Sequence, residues 1–167
     1  RLPSFTSTLF TTNGVAVGGL YAQYIETLLN SEWFLVESEV NDNPIDLNVL
    51  GVILYPDSFG DYSYKFEYGN GNTCVESFKV NFTDVTETGF NLSTANEYLP
   101  CNFTDTDLIE AVELYLSFYY ELPFDENSNP KNPFTYEWVD ATPWADELRI
   151  TNPQGDWLLY RTYTLST

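Results

Sequence analysis

Two cysteines, Cys74 and Cys101, bracket a stretch within which the hydrophobic period changes, and that stretch constrains the fold more than any other. From Cys74 to Phe82 apolar and polar residues alternate. Phe78, Val80 and Phe82 fall on one face, and Ser77, Lys79 and Asn81 on the other. A two-residue period belongs to a half-buried strand, because successive side chains of an extended backbone point to opposite sides. Residues 83–89 are polar and turn-like, Phe90-Asn91-Leu92 begins a second strand, and Pro100 closes the segment. The two runs are expected to pair as a hairpin. After Cys101 the period lengthens. Leu108, Ile109, Val112, Tyr115, Leu116 and Tyr119 recur at helical spacing, while Glu110, Glu113 and Ser117 point elsewhere. A helix of about four turns is expected over 106–120. Thr104, with Asp107 three residues on, resembles a capping box, and Pro123 stops the pattern. This helix should plug or cover one side of a sheet.

Cys74 and Cys101 are the only cysteines, and the chain has no histidine. Their spacing is far from C-x-x-C, and no histidine completes a common zinc set. The pair therefore reads as a structural disulfide rather than a reactive thiol pair or half a metal site. A disulfide points to an oxidising compartment. The net charge is −19, from 25 acids against six bases. Such a field repels phosphate backbones and anionic lipid, which argues against nucleic-acid binding. It suits solubility in salty surroundings, or alternatively bound calcium or a basic partner. The apolar runs are too short and interrupted to span a bilayer as a helix. No basic segment followed by an apolar one opens the sequence, so a secreted chain is expected to have lost its signal peptide.

The remainder of the chain reads as strands and turns. Residues 5–17, rich in Thr and β-branched residues around Asn13-Gly14, read as an ordinary first strand or hairpin, or alternatively as a free extended arm over 1–18. As an arm it would add to a neighbouring subunit through Phe5, Leu9, Val15 and Val17. Leu20 to Leu29 follow helical spacing. Trp33 to Val36 and Leu47 to Tyr55 read as strands, the second with both faces covered and ended by Pro56. Tyr62, Tyr64, Phe66 and Tyr68 alternate most cleanly of all, and residues 69–72 turn that strand into the Cys74 strand. Phe134, Tyr136 and Trp138 alternate, Asp140 to Pro143 is a turn, and Leu148–Thr151 pairs with Trp157–Tyr160 across Asn152-Pro153-Gln154-Gly155-Asp156. With seven to nine strands, hairpins dominating and no βαβ alternation, the chain is expected to be mainly β, a β-rich α+β fold. Residues 19–167 would form a single antiparallel curled sheet or small barrel with one or two packed helices.

Candidate chemistry is sparse. Without histidine the commonest general base is missing, no Ser-His-Asp triad can form, and neither a nucleophile elbow nor a phosphate loop is present. Acid pairs suited to a glycosidase carry no information among 25 acids. The expectation is a chain that is not an enzyme. Asp125, Asn127 and Asn129 resemble the start of an EF-hand loop, but Pro130 stands where glycine is required and Tyr136 where glutamate is. They remain calcium candidates in a loop of another kind, with Asn41, Asp42 and Asp46 a weaker set. Asn81, Asn91 and Asn102 sit in N-x-S/T sequons.

The order of parts resembles the META/HslJ-like domains, particularly their lipocalin-like secreted members. Trp33-Phe34-Leu35 is similar to the opening W-x-L strand of that family. Cys74, then Phe90 to Cys101, then Leu108-Ile109-Glu110 to Tyr115 is similar to its cysteine–strand–cysteine–helix order. Residues 148–160 resemble its closing hairpin, L-x-x-x-N-x-x-G-x-x-L-x-Y/F. The likeness covers roughly residues 28–163, and Val75 stands where the family often has asparagine. It implies a small antiparallel barrel with a helix and carries no catalytic residues. The functional expectation is a non-catalytic secreted or cell-surface domain (periplasmic being the other compartment that fits) that binds or assembles with extracellular proteins or with itself. The alternatives are a lipocalin-like carrier of an apolar ligand and a carbohydrate-binding domain using exposed tyrosine or tryptophan. No cofactor other than calcium is expected.

Overall fold

The computed structural model describes residues 31–58, 62–141 and 145–163. The N-terminal arm, its assembly candidates Phe5, Leu9, Val15 and Val17, and the helical spacing at 20–29 lie outside the described residues, as do Thr142 and Pro143 of the expected turn, whereas Asp140 and Ala141, expected in that turn, extend β7 (Phe134–Ala141) and pair with Glu147 and Asp146. Among the described residues nine strands and one helix follow one another. They are β1 (Trp33–Glu39), β2 (Gly51–Ser58), β3 (Ser63–Asn70), β4 (Cys74–Thr83), β5 (Gly89–Leu92), β6 (Asn96–Leu99), α1 (Thr106–Tyr119), β7 (Phe134–Ala141), β8 (Ala145–Thr151) and β9 (Trp157–Tyr163).

Every strand pairing is antiparallel, and eight strands close on themselves in the order β3-β2-β1-β9-β8-β7-β5-β4, with β4 returning to β3. The fold is therefore a closed β-barrel with one helix, and closure leaves the ring without an exposed edge. The expected hairpins form: Asn70 faces Cys74 across the turn from β3, Phe82 faces Leu92 between β4 and β5, and Thr151 faces Trp157 in the closing hairpin. β6 lies outside the ring, taking the stretch of the β4 edge around Ser77 and Lys79 that β5 leaves free.

Alternation places large rings inside. Tyr64, Phe66 and Tyr68 of β3 and Phe78, Val80 and Phe82 of β4 are all buried, and so are Leu148, Ile150, Leu158 and Tyr160. Rings meet across the interior in a continuous set. Phe82 lies between Tyr64 at 4.4 Å and Phe90 at 4.3 Å, and Phe90 continues to Phe134 at 5.7 Å. Trp33 and Trp138 pack together at 5.5 Å. Pairs of this kind add about 0.5–1.5 kcal/mol beyond their buried area.

The helix closes one end. Its second half is buried on all sides from Tyr115 to Tyr119. Tyr119 packs edge-on against Phe66 at 5.0 Å, and Tyr115 lies 5.5 Å from Tyr68. The Tyr160 hydroxyl meets those of Tyr115 at 2.9 Å and Tyr119 at 2.8 Å, so three phenols satisfy one another inside the barrel. Asn152 ties the closing hairpin to this plug. Its Nδ2 donates to the Phe118 carbonyl at 3.1 Å, and its Oδ1 accepts from the Gln154 and Asp156 amides at 3.0 and 3.1 Å. Phe118 lies in the last turn of the helix, where carbonyls have no intrahelical donor. Gly155, whose amide closes this turn on the Asn152 carbonyl, has φ +90°, which favours glycine.

Four local expectations are corrected. The helix cap is Asp105, whose side chain accepts from the Leu108 amide, rather than Thr104. Ser117 is buried rather than facing solvent, its hydroxyl bonded to the Leu114 carbonyl at 2.7 Å. Pro56 does not end β2. The register shifts between Pro56 and Ser58, and a bulge is where a strand tolerates a residue with no N–H. Leu47 and Val49 belong to a turn closed on the Asp46 carbonyl, and β2 has only one covered face, since Val52 and Leu54 are buried while Ile53 and Tyr55 are half-buried.

Candidate functional site

The helix end of the barrel carries a cleft of about 600 Å³. Five segments wall it, and each arrives for a local reason. β4 contributes Glu76, which shares the inward parity of Phe78, Val80 and Phe82. β6 contributes Tyr98. The Cys101–Phe103 segment forms one rim and is pinned to the start of β4 by the Cys74–Cys101 disulfide, with Cα atoms 6.1 Å apart. The first turns of α1 contribute Ile109, Val112 and Glu113, and the chain leaving α1 contributes Leu122 and Phe124.

Glu76 is 4% exposed. Its Oε2 accepts from the Tyr68 hydroxyl at 2.6 Å and, at 3.4 Å, from the Tyr98 hydroxyl, while its Oε1 accepts from the Cys101 amide at 3.0 Å. Burial, followed by the charge and hydrogen bond of Glu76, pushes the Tyr98 phenol up to about 12. Burial and the same carboxylate push Tyr68 upward as well. Both phenols therefore stay protonated donors over the ordinary pH range. Phe124 links the cleft to the core, 4.8 Å from Phe78 and 5.0 Å from Tyr98. Leu122, 46% exposed, forms part of the open rim.

A second groove of about 490 Å³ lies on the other side of the helix, lined by Asn41, Asn43, Glu110, Leu114 and Ser117 among others. Glu113 and Leu122 line both grooves, so the two meet over the outward face of α1.

Of the candidate site residues singled out from sequence, Cys101 and the sequon residue Asn102 line the cleft. Cys74 holds it from behind. In the calcium candidate loop the Asp125 Oδ1 accepts from the Asn127 amide at 2.7 Å, and the Asn129 carbonyl accepts from the Glu121 amide at 3.0 Å. In the weaker set, the Asp46 Oδ1 accepts from the Asn48 amide at 2.9 Å, and the Asn41 amide donates to Asp156 Oδ1 at 3.1 Å. Among the described residues no three of His, Cys, Asp and Glu stand together as a metal set. Of the sequons, Asn81 and Asn102 are exposed, while the Asn91 side chain donates to Asp84 Oδ2 at 3.0 Å. Glu76, Tyr98 and Phe103 were not singled out from sequence. For Glu76 a signal existed, because an acid at an in-phase position of an aromatic strand marks a carboxylate on the core side.

Among the described residues no helix is long and apolar enough to cross a membrane. No family model matches the chain, and a search of curated proteins found no match.

Proposed function

We propose that the chain is a non-catalytic secreted or cell-surface domain that works by binding another extracellular protein at the helix-end cleft. The observation that carries this is the contrast between a packed interior and an open, largely apolar cleft beside it. A carrier of the lipocalin type needs a dry cavity of several hundred Å³. Among the described residues the interior positions are taken by rings in mutual contact, whereas the cleft of about 600 Å³ opens at the surface. The disulfide supports an extracytoplasmic setting. The strand, cysteine, helix and closing-hairpin order supports kinship with META/HslJ-like domains at the level of architecture.

Matched photo-cross-linkers test this. A benzoylphenylalanine at Leu122, 46% exposed on the cleft rim, is compared with one at Val139, 44% exposed on β7. In the extracellular fraction of the native source, a discrete cross-linked species is expected from position 122 alone and should disappear on adding unlabelled chain. Equal cross-linking from both positions, or none from 122, would contradict the proposal.

A further inference from the structure

Glu76 is buried, yet among the described residues no Lys or Arg stands within ion-pairing distance of it. Four bases are engaged elsewhere: Lys65 with Glu67, Lys79 with Asp57 and Glu97, Arg149 with Glu137, and Arg161 with Glu147. Among the described residues neither groove is lined by a basic residue. A buried carboxylate without a cation is costly unless hydrogen bonds compensate it. A carboxylate offers about four acceptor positions, and three are taken here, one of them by the long Tyr98 contact. A cation entering the cleft would meet a carboxylate that folding has already stripped of water and fixed in place, so its attraction is little diluted by solvent.

The surroundings decide which cation. Calcium takes six to eight oxygen ligands, and no acid triad is present among the described residues. Tyr98, Phe103 and Phe124 instead supply ring faces and edges beside the carboxylate, and Ile109, Val112 and Leu116 supply aliphatic surface. That combination accommodates an organic cation on an aliphatic stem, whose methylenes cover apolar surface while the head group finds an acid and rings. The two grooves continue into each other over Glu113 and Leu122, and the second adds Glu110. Their volumes of about 600 and 490 Å³ exceed what one small amine fills and suit an extended segment with a basic residue for each groove.

We infer that the cleft binds a basic segment of a partner protein, with one Lys or Arg side chain seated against Glu76 and a second basic residue beside Glu110 and Glu113. This rests on the cleft being the binding site proposed above, and names its occupant.

The test is fluorescence anisotropy with the intact, oxidised chain at about 0.15 M salt, where diffuse attraction to a −19 surface is screened beyond about 8 Å. The probe is a labelled peptide of alternating arginine and alanine, compared with the same peptide carrying citrulline, which keeps the shape and loses the charge. Saturable binding is expected for the arginine peptide only. Glu113→Gln, at an exposed position that leaves the fold intact, should weaken it about tenfold, and Glu37→Gln on the outer wall less than twofold. Glu76→Gln should weaken it further, with circular dichroism reporting whether that variant folds. Equal losses for Glu37→Gln and Glu113→Gln would mean diffuse attraction and overturn the inference. Citrulline binding as tightly as arginine, with sensitivity to Phe103→Ser, would overturn the basic occupant while leaving the cleft as the binding site. No binding of either peptide to the folded chain would also overturn it, and the cross-linking comparison would then stand alone as evidence for the cleft.

Discussion

Replacing Asn152 with alanine separates the helix from the hairpin that holds it. Asn152 is 3% exposed, and its amide makes three bonds at 3.0 to 3.1 Å and a fourth, to Asp156 Oδ2, at 3.3 Å. The Phe118 carbonyl would lose its donor inside the protein, at a cost of about 1–3 kcal/mol. The Gln154 and Asp156 amides would lose an acceptor nearer the surface, where water substitutes in part, at about 0.5 kcal/mol each. The sum is about 3 kcal/mol. For a chain of this length each kcal/mol moves the melting temperature by about 2–4 °C, so a fall of about 6–12 °C is expected. Urea unfolding followed by near-ultraviolet circular dichroism measures the free-energy loss through the midpoint at constant slope. Asn152→Asp is the informative companion, since it keeps the two accepted bonds and loses the donation to Phe118. It also sets a second carboxylate beside Asp156, so it should be no more stable than the alanine variant near neutral pH. A loss below about 1 kcal/mol for the alanine variant would refute the idea that this side chain couples plug to barrel.

Two further outcomes follow from the same geometry. Reducing the Cys74–Cys101 bond, or substituting both with serine, frees a 27-residue separation and should cost about 3.5 kcal/mol in the chain-entropy model, read as a shift in the urea midpoint; it should also weaken binding at the cleft, whose Cys101–Phe103 rim it releases. Burial, first in each case, pushes Tyr55, Tyr98 and Tyr136 up to about 12, aided by the neighbouring carboxylates Glu67, Glu76 and Glu87 respectively. The unfolded chain releases these protons near pH 10 while the folded chain holds them, so their contribution to stability is complete below about 10 and lost as pH rises toward 12. Unfolding midpoints that stay constant from pH 9 to 11.5 would contradict this.

The parts of the fold visible in sequence are those where one physical requirement acts alone. In β3 every second residue is aromatic because one face is sealed and the other is more open, and the first half of α1 shows its period for the same reason. A cap at Thr104 or at Asp105 fits the same pattern, and only the turn geometry, which brings Asp105 Oδ1 to the Leu108 amide, decides between them. β6 left no trace. Asn96-Glu97-Tyr98-Leu99 half-buries only Tyr98, so no alternation advertises it, and its place on β4 depends on the neighbouring disulfide and the short β5. A small barrel is expected alongside a curled sheet, and what pattern alone leaves open between them is closure, because β1 pairs with β9 from the far end of the chain. The cleft draws its walls from five segments, and among their residues only Glu76 broke a local rule.

The claim beneath all of this is that the barrel is filled by its own rings and stoppered by α1, so that binding happens outside it. The hydroxyl protons of Tyr115, Tyr119 and Tyr160 report on that interior directly. Proton nuclear magnetic resonance at neutral pH should show all three as sharp, slowly exchanging signals, with cross-peaks linking Tyr160 to the other two. Rapid exchange of these protons with water, or cross-peaks from them to internal water, would mean an open interior and contradict the account.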